Sequence, residues 1–184
     1  NGEMWVTESG DTGAGGHTWA STYLEVVREL NEFADFATVT KGVIFHNTLA
    51  SSDYGYLQHG TFEPRPSYFA ALLWNQLMGE MVYDSEVKVC EGAHVYAHSR
   101  KDGQEGVAYL VINNSKTENT TVELPKDAIR YTLDGNGNMR SRVIYLNGTP
   151  LTLGDNDEIP VMEGIVEKAG AVKLAPGTCT FFVL

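Results

Sequence analysis

The 184-residue sequence predicts an α/β segment over residues 1–80 followed by an all-β segment over 81–184. Three observations predict it. Before residue 80, apolar runs of strand length alternate with stretches at helical spacing. Beyond it come only short strand-like runs divided by turn residues. The order in the first segment, β-loop-α-β-loop-α, is that of two successive βα units, whose strands pair in parallel under covering helices.

Met4-Trp5-Val6-Thr7 reads as the first strand and runs into Glu8 and a glycine-rich loop, Ser9 to Gly16. From His17 to Phe33, Trp19, Tyr23, Val26, Val27, Leu30 and Phe33 recur at helical spacing, which places Glu25, Arg28, Glu29 and Asn31 elsewhere around the helix. Gly42-Val43-Ile44-Phe45-His46 is a continuous apolar run that suits a strand buried on both faces. After a polar loop from Asn47 to Pro66, Ser67 reads as an N-cap, Tyr68 to Met78 as a helix and Gly79 as its C-terminal stop. The second segment offers strands at Val82–Val89, Ala93–Ser99, Gly106–Asn113, Thr120–Leu124, Ile129–Asp134, Arg142–Leu146, Thr149–Leu153 and Thr178–Leu184. Many short strands with frequent turns predict an antiparallel β-sandwich.

Two βα units cannot bury their own strands, and an eightfold (β/α)8 barrel takes about 250 residues. Residues 1–80 therefore read as the last two βα units of such a barrel, with six strands expected upstream in an N-terminal remainder. The composition fits a chain with a full core: 42% of residues are apolar and 20% charged. The net charge is −11, and residues 1–80 hold three Lys/Arg against ten Asp/Glu. That balance excludes nucleic acid as an expected partner, because phosphate binding needs clustered cations. No run approaches the ~20 apolar residues of a membrane span.

Cys90 and Cys179 suit a long-range disulfide and two buried thiols equally. The sequons at Asn113, Asn119 and Asn147 permit a secreted, extracellular, lysosomal or periplasmic location. His94 and His98 share a strand with no third ligand at metal spacing, which predicts a solvated face. Asp134-Gly-Asn136-Gly-Asn138 begins like a calcium loop, but Met139 and Tyr145 stand where the glycine and glutamate belong, so a hairpin turn is expected. No metal and no cofactor is predicted.

Function in parallel βα units gathers on the loops at the C-terminal strand ends. The first such loop brings Glu8, a carboxylate placed to act as nucleophile or base, beside Asp11, Thr12 and the glycines Gly10, Gly13, Gly15 and Gly16. Glycine amides just ahead of a helix N-terminus would favour an anion. Equally, Glu8 could cap a loop that the glycines merely turn. The second loop offers His46, Asn47, Ser51, Ser52, Asp53, Tyr54 and Tyr56. Tyrosines suit sugar recognition and also plain loop packing, and His46 reads as readily as a hydrogen-bonded core histidine.

Longer motifs narrow the choice. Glu8-Ser9 with its glycine-rich loop, Gly42-Val43-Ile44-Phe45-His46, Asp53-Tyr54-Gly55-Tyr56-Leu57, Thr61-Phe62-Glu63-Pro64-Arg65-Pro66-Ser67-Tyr68 and Leu72-Leu73-Trp74-Asn75-Gln76-Leu77-Met78-Gly79 follow one another. Val95-Tyr96-Ala97-His98, Leu146-Asn147-Gly148 and Phe181-Phe182-Val183 continue the series. Together they resemble glycoside hydrolase family 79, that of heparanase and the retaining β-glucuronidases.

The resemblance implies a (β/α)8 barrel with a β-sandwich, and a two-carboxylate double displacement. It puts Glu8 at the nucleophile position and leaves the acid/base glutamate to the upstream part. Tyr54 and the amides near Gly15 and Gly16 fall where the uronic acid carboxylate is held. His46 replaces a glutamine of heparanase-like sequences, and Ser9-Gly10-Asp11-Thr12-Gly13-Ala14 departs from the heparanase loop. The implied partner is a carbohydrate with terminal or internal glucuronic acid. Arg28, Lys41 and Arg65 are the cations of residues 1–80, too few for a polyanion track, which favours a β-glucuronidase over an endo-acting heparanase. A non-catalytic sugar-binding fragment, with Tyr54, Trp5 and Trp19 as platform, is the reading from another class; a buried anion at Glu8 would argue against it.

Overall fold

The computed structural model describes residues 3–13, 16–85, 87 and 92–184. Strand β1 (Val6–Ser9) and strand β2 (Ile44–His46) pair in parallel, Val6 with Ile44 and Ser9 with His46. Helix α1 (Tyr23–Val39) joins them, so the first βαβ unit forms as the sequence predicts. The helix begins and ends six residues later than its apolar spacing suggests, because residues 17–22 are spent in turns. Its first amides are capped from far along the chain. Tyr23 N–H donates to Ser141 O at 2.8 Å and Leu24 N–H to Met139 O at 2.9 Å.

Helix α2 (Pro66–Leu77) has Arg65 as N-cap and Pro66 at its first turn, which displaces Ser67 from the cap. It passes directly into β3 (Met78–Tyr83), so Gly79 stops no helix. A Cβ at Gly79 would lie 2.6 Å from Ser99 O, and glycine is needed there for close approach of the neighbouring strand.

Strands β4 (Ala93–Arg100), β5 (Val107–Asn113), β6 (Thr120–Leu124), β7 (Ala128–Asp134), β8 (Tyr145–Leu146), β9 (Thr149–Pro150), β10 (Ile165–Glu167), β11 (Gly170–Leu174) and β12 (Thr178–Val183) follow. An antiparallel sheet runs β3-β4-β5-β12-β7-β8-β9, with β10 added beside β7; β6 and β11 form a separate antiparallel pair. Compared with the expected strands, Val82–Val89 is replaced by one that starts earlier, at Met78, and residues 86 and 88–91 lie outside the described residues. Arg142–Leu146 and Thr149–Leu153 shrink to two residues each around the Asn147-Gly148 turn. Strands β10 and β11 were not expected, although Ala171-Val172-Lys173-Leu174 alternates exposed and buried as a half-buried strand should.

Alternation along the central strands builds two cores. Leu110, Ile112, Cys179 and Phe181 face α1 and α2 and meet Tyr23, Val26, Leu30, Phe69 and Leu73. Val111 and Phe182, one residue out of step, face the other way and pack with Val122, Leu124, Val172 and Leu174 of the β6–β11 pair. Tyr23 ties the first core together: its hydroxyl donates to Leu133 O at 2.7 Å and accepts from Cys179 N–H at 3.2 Å. Cys179 is a buried free thiol, while Cys90 lies outside the described residues.

Several expectations change here. His98 is not solvated: it is 3% exposed, its Nδ1 contacts Gly79 O at 2.8 Å and its ring meets Trp74 edge-on. Asn113 is buried, and its Nδ2 donates to Glu118 O, Leu174 O and Ala175 O, so its side-chain nitrogen is not open to glycosylation in the folded chain. Asn147 Oδ1 accepts from Thr132 N–H. Asn119 remains exposed. Asn136 and Gly137, both at positive φ, make a tight turn at the calcium-like string, closed by Asn138 N–H to Gly135 O at 3.1 Å within the longer connection between β7 and β8, in place of the expected hairpin turn. Strand β2 is half exposed rather than buried on both faces. Met4, Trp5, Val43 and Phe45 lie 43–52% exposed, with Trp5 packed on Phe45, and form an apolar surface on the β1–β2 pair. Among the described residues no helix is long and apolar enough to cross a membrane.

Candidate active site at the strand tips

The parallel register sets Glu8 and Asn47 side by side. Asn47 N–H donates to Ser9 O at 2.7 Å and continues the ladder past the end of β2. The Asn47 side chain then donates from Nδ2 to Glu8 Oε1 at 2.5 Å. Glu8 is exposed, so the buried anion expected here is instead a carboxylate open to a ligand and held by a neutral donor.

The glycine-rich loop is closed by Asp11, whose Oδ2 accepts from His17 N–H at 2.9 Å. Gly15 lies outside the described residues, and Gly16 sits at φ +106°. The expected helix N-terminus behind these glycines is not there. Helix α1 starts at Tyr23 and its leading amides are already spent on Ser141 and Met139, so they are not free to meet an anion at this loop.

The glycines serve Tyr54 instead. A Cβ at Gly10 would fall 2.8 Å from Tyr54 Cε2, and one at Gly16 3.0 Å from Tyr54 Cδ1 and 3.1 Å from Asp53 Cβ. The Tyr54 ring is therefore packed against both glycines and is 7% exposed, which leaves it no open face for a stacking platform. Asp53, beside it, is exposed. Arg65 holds the turn that carries them: its Nη1 donates to Ser52 O at 2.6 Å and Gly55 O at 3.1 Å. The structure thus brings together Glu8 with Asn47, and Tyr54 and Asp53 with Gly10 and Gly16.

Beneath the loops lies a charged layer that helical spacing did not reveal. Glu25 and Glu29 are not on a solvated face; they are 1% and 0% exposed. Arg28 donates to Glu25 Oε1 from Nε and Nη2, at 2.9 and 2.6 Å, and to Glu32 Oε2 from Nη1 at 2.9 Å. Ser9 Oγ, next to Glu8 in the chain, bonds the Glu32 carboxylate, 2.6 and 2.7 Å from its two oxygens. His46, next to Asn47, is enclosed: its side chain is 6% exposed and its Nδ1 lies 3.1 Å from Glu29 Oε1. Its Nε2 donates to Tyr54 O at 2.7 Å, and its ring stacks on Tyr56 with centroids 4.1 Å apart. Burial pushes the Glu29 carboxyl up to about 8 and holds the His46 imidazole below its ordinary value. The available signal was the i, i+3/i+4 spacing of Glu25, Arg28, Glu29 and Glu32, which puts all four on one helix face. Among the described residues no cluster of three or more His, Cys, Asp or Glu is arranged to hold a metal ion.

Baicalin-β-D-glucuronidase of Scutellaria baicalensis is 30% identical over 184 residues, covering 96% of this chain and 34% of that protein. Heparanase-like protein 1 of Arabidopsis thaliana is 29% identical over 219 residues, covering 98% of this chain and 40% of its own length. This chain is related to the β-glucuronidases and heparanases of glycoside hydrolase family 79. It spans little more than a third of the length of these family relatives. The fold matches that of a 4-O-α-L-rhamnosyl-β-D-glucuronidase from Fusarium oxysporum 12S, at TM-score 0.71 and 14% identity, over 98% of this chain and 43% of that one. No family model matches the chain.

Proposed function

We propose that this chain is part of a retaining β-glucuronidase in which Glu8 is the nucleophile. Residues 1–80 then complete a (β/α)8 barrel as its last two βα units, and residues 81–184 form the accompanying β-sandwich domain. The observation that carries the reading is the Glu8–Asn47 pair. An exposed carboxylate at the C-terminal tip of a parallel strand, gripped at one oxygen by a neutral amide, presents a carboxylate oxygen to an anomeric carbon.

In the double displacement, Glu8 attacks that carbon while an acid on the upstream remainder protonates the leaving oxygen. The resulting glycosyl ester is then hydrolysed by water activated by the same upstream group, with the two carboxyls roughly 5–5.5 Å apart. Tyr54 OH and the loop amides at Gly15 and Gly16 bind the C6 carboxylate, with Asp53 at the rim. His46 supports them from behind. A secreted or lysosomal enzyme without cofactor accords with this chemistry.

The cations support action on lightly charged glucuronides over endo-cleavage of heparan sulfate. Arg28 is committed to Glu25 and Glu32, and Arg65 to two backbone carbonyls, so neither is open to a sulfated chain. The test is hydrolysis of an aryl β-glucuronide by the complete enzyme and its Glu8→Gln variant. We expect turnover by the first and its loss, by a factor of ~10³ or more, in a folded second. Equal rates would place the nucleophile elsewhere.

A further inference from the structure

The face of α1 turned to the strand tips holds each tip by the residue beside a site residue. Glu32 takes Ser9, the neighbour of Glu8; Glu29 faces His46, the neighbour of Asn47. The second contact has a defined chemistry. Tyr54 O can only accept, so the His46 Nε2 at 2.7 Å carries a hydrogen. Nδ1 then faces Glu29 either as an imidazolium N–H against a carboxylate or as a lone pair against a carboxylic acid.

The surroundings decide between them. On α1, Glu25 and Glu32 repel a Glu29 anion; the Arg28 charge favours it, but the Arg28 hydrogen bonds go to those two carboxylates. From β2 comes His46, from β1 the neutral Ser9, and from the second loop Tyr56, whose hydroxyl favours the anion. The site is closed to water, and besides His46 the donor that faces Glu29 is the neutral Tyr56 hydroxyl. Burying two charges there costs more than their attraction returns. The neutral pair wins.

We propose that Glu29 is a positioning residue of the glycosidase site, a buried carboxylic acid that fixes His46 as its Nε2–H tautomer and thereby sets the Tyr54 backbone and the Asn47 that holds Glu8. This rests on the assignment of Glu8 and Tyr54 above. It makes the apolar-looking run ending in His46 part of the machinery, and it gives the buried acid of a surface-type helix a role.

The test uses the complete enzyme, uniformly prepared as wild type, Glu29→Gln and Glu29→Leu. Imidazole ¹⁵N spectra report His46 directly: a neutral Nε2–H ring persisting at pH 6 is expected, and an imidazolium at that pH overturns the proposal. Kinetics on an aryl β-glucuronide supply the second arm. The glutamine variant, a neutral isostere, should stay within ~3-fold of wild type at pH 6; above about pH 8, as Glu29 ionises, wild-type kcat should fall further than that of the variant, any loss from the upstream acid being common to both. The leucine variant should lose ~10-fold or more in kcat with a changed ¹⁵N signature. Wild-type kinetics in a folded leucine variant, or equal damage from glutamine and leucine, would refute the positioning role. An inactive wild type would instead remove the glycosidase assignment, and the ¹⁵N arm would still decide the state of the pair.

Discussion

Tyr54 separates packing from chemistry within one side chain. Its ring fills the space that Gly10 and Gly16 leave, a task phenylalanine performs as well. Tyr54→Phe therefore removes the hydroxyl alone. Loss of a hydrogen bond to a charged group costs ~1.5–3 kcal/mol, so kcat/KM for a glucuronide should fall roughly tenfold to over a hundredfold. The matching glucoside, without a carboxylate, should change far less. Equal loss on both substrates would show that the hydroxyl does not read the acid. Glu29 carries a stability signature of its own. Its folded pKa, about 8, is raised above the ordinary 4.5, so the stability of the neutral acid is fully present below 4.5 and is lost as pH rises towards 8. His46, lowered, acts in the opposite sense, losing stability as pH falls below its ordinary 6.5. Glu29→Gln removes the first dependence. Relative to wild type it should gain about 3 kcal/mol between pH 4.5 and 7, read by denaturant unfolding of the complete protein. A pH-independent difference would mean that Glu29 is ionised in the folded protein.

At the scale of elements, the glycines of the first loop are shaped by the second loop. Gly10→Ala would place its Cβ 2.8 Å from the Tyr54 ring, and Gly16→Ala would add a side chain at φ +106°. Each should cost ~1–3 kcal/mol or displace Tyr54, and lower glucuronide kcat/KM while Gly13→Ala, with open space around it, should not. Parallel thermal melts and kinetics of the three variants check this. The strand–helix order, the parallel pairing and the Glu8 loop were legible because period and turn chemistry are local. The start of α1 was not, since Trp19 extends the apolar spacing while Ser141 and Met139, over a hundred residues away, supply the cap. Nor was the burial of Glu25 and Glu29. Their i, i+4 spacing is compatible with one face, but only Ser9, His46 and Tyr56 make that face an interior, and they arrive from other elements. His98 misled for the same reason: its partners Gly79 and Trp74 come from another strand and from α2.

At the scale of the molecule, the β1–β2 pair leaves Met4, Trp5, Val43 and Phe45 on the surface, where a completed barrel would cover them. The 184-residue chain by itself should hydrolyse no aryl β-glucuronide and should aggregate more readily than the same chain prepared with the upstream remainder. Turnover by the isolated chain would mean that the acid/base group lies within these residues. The central claim is narrower still, that Glu8 bonds to the sugar. A 2-deoxy-2-fluoro glucuronide with a good leaving group slows release of the glycosyl ester more than its formation, which lets the covalent intermediate accumulate. Peptide mass spectrometry of the complete enzyme after this treatment should find the fluoroglucuronosyl group on Glu8. A label on another carboxylate, or active enzyme that takes no label at all, would contradict the account.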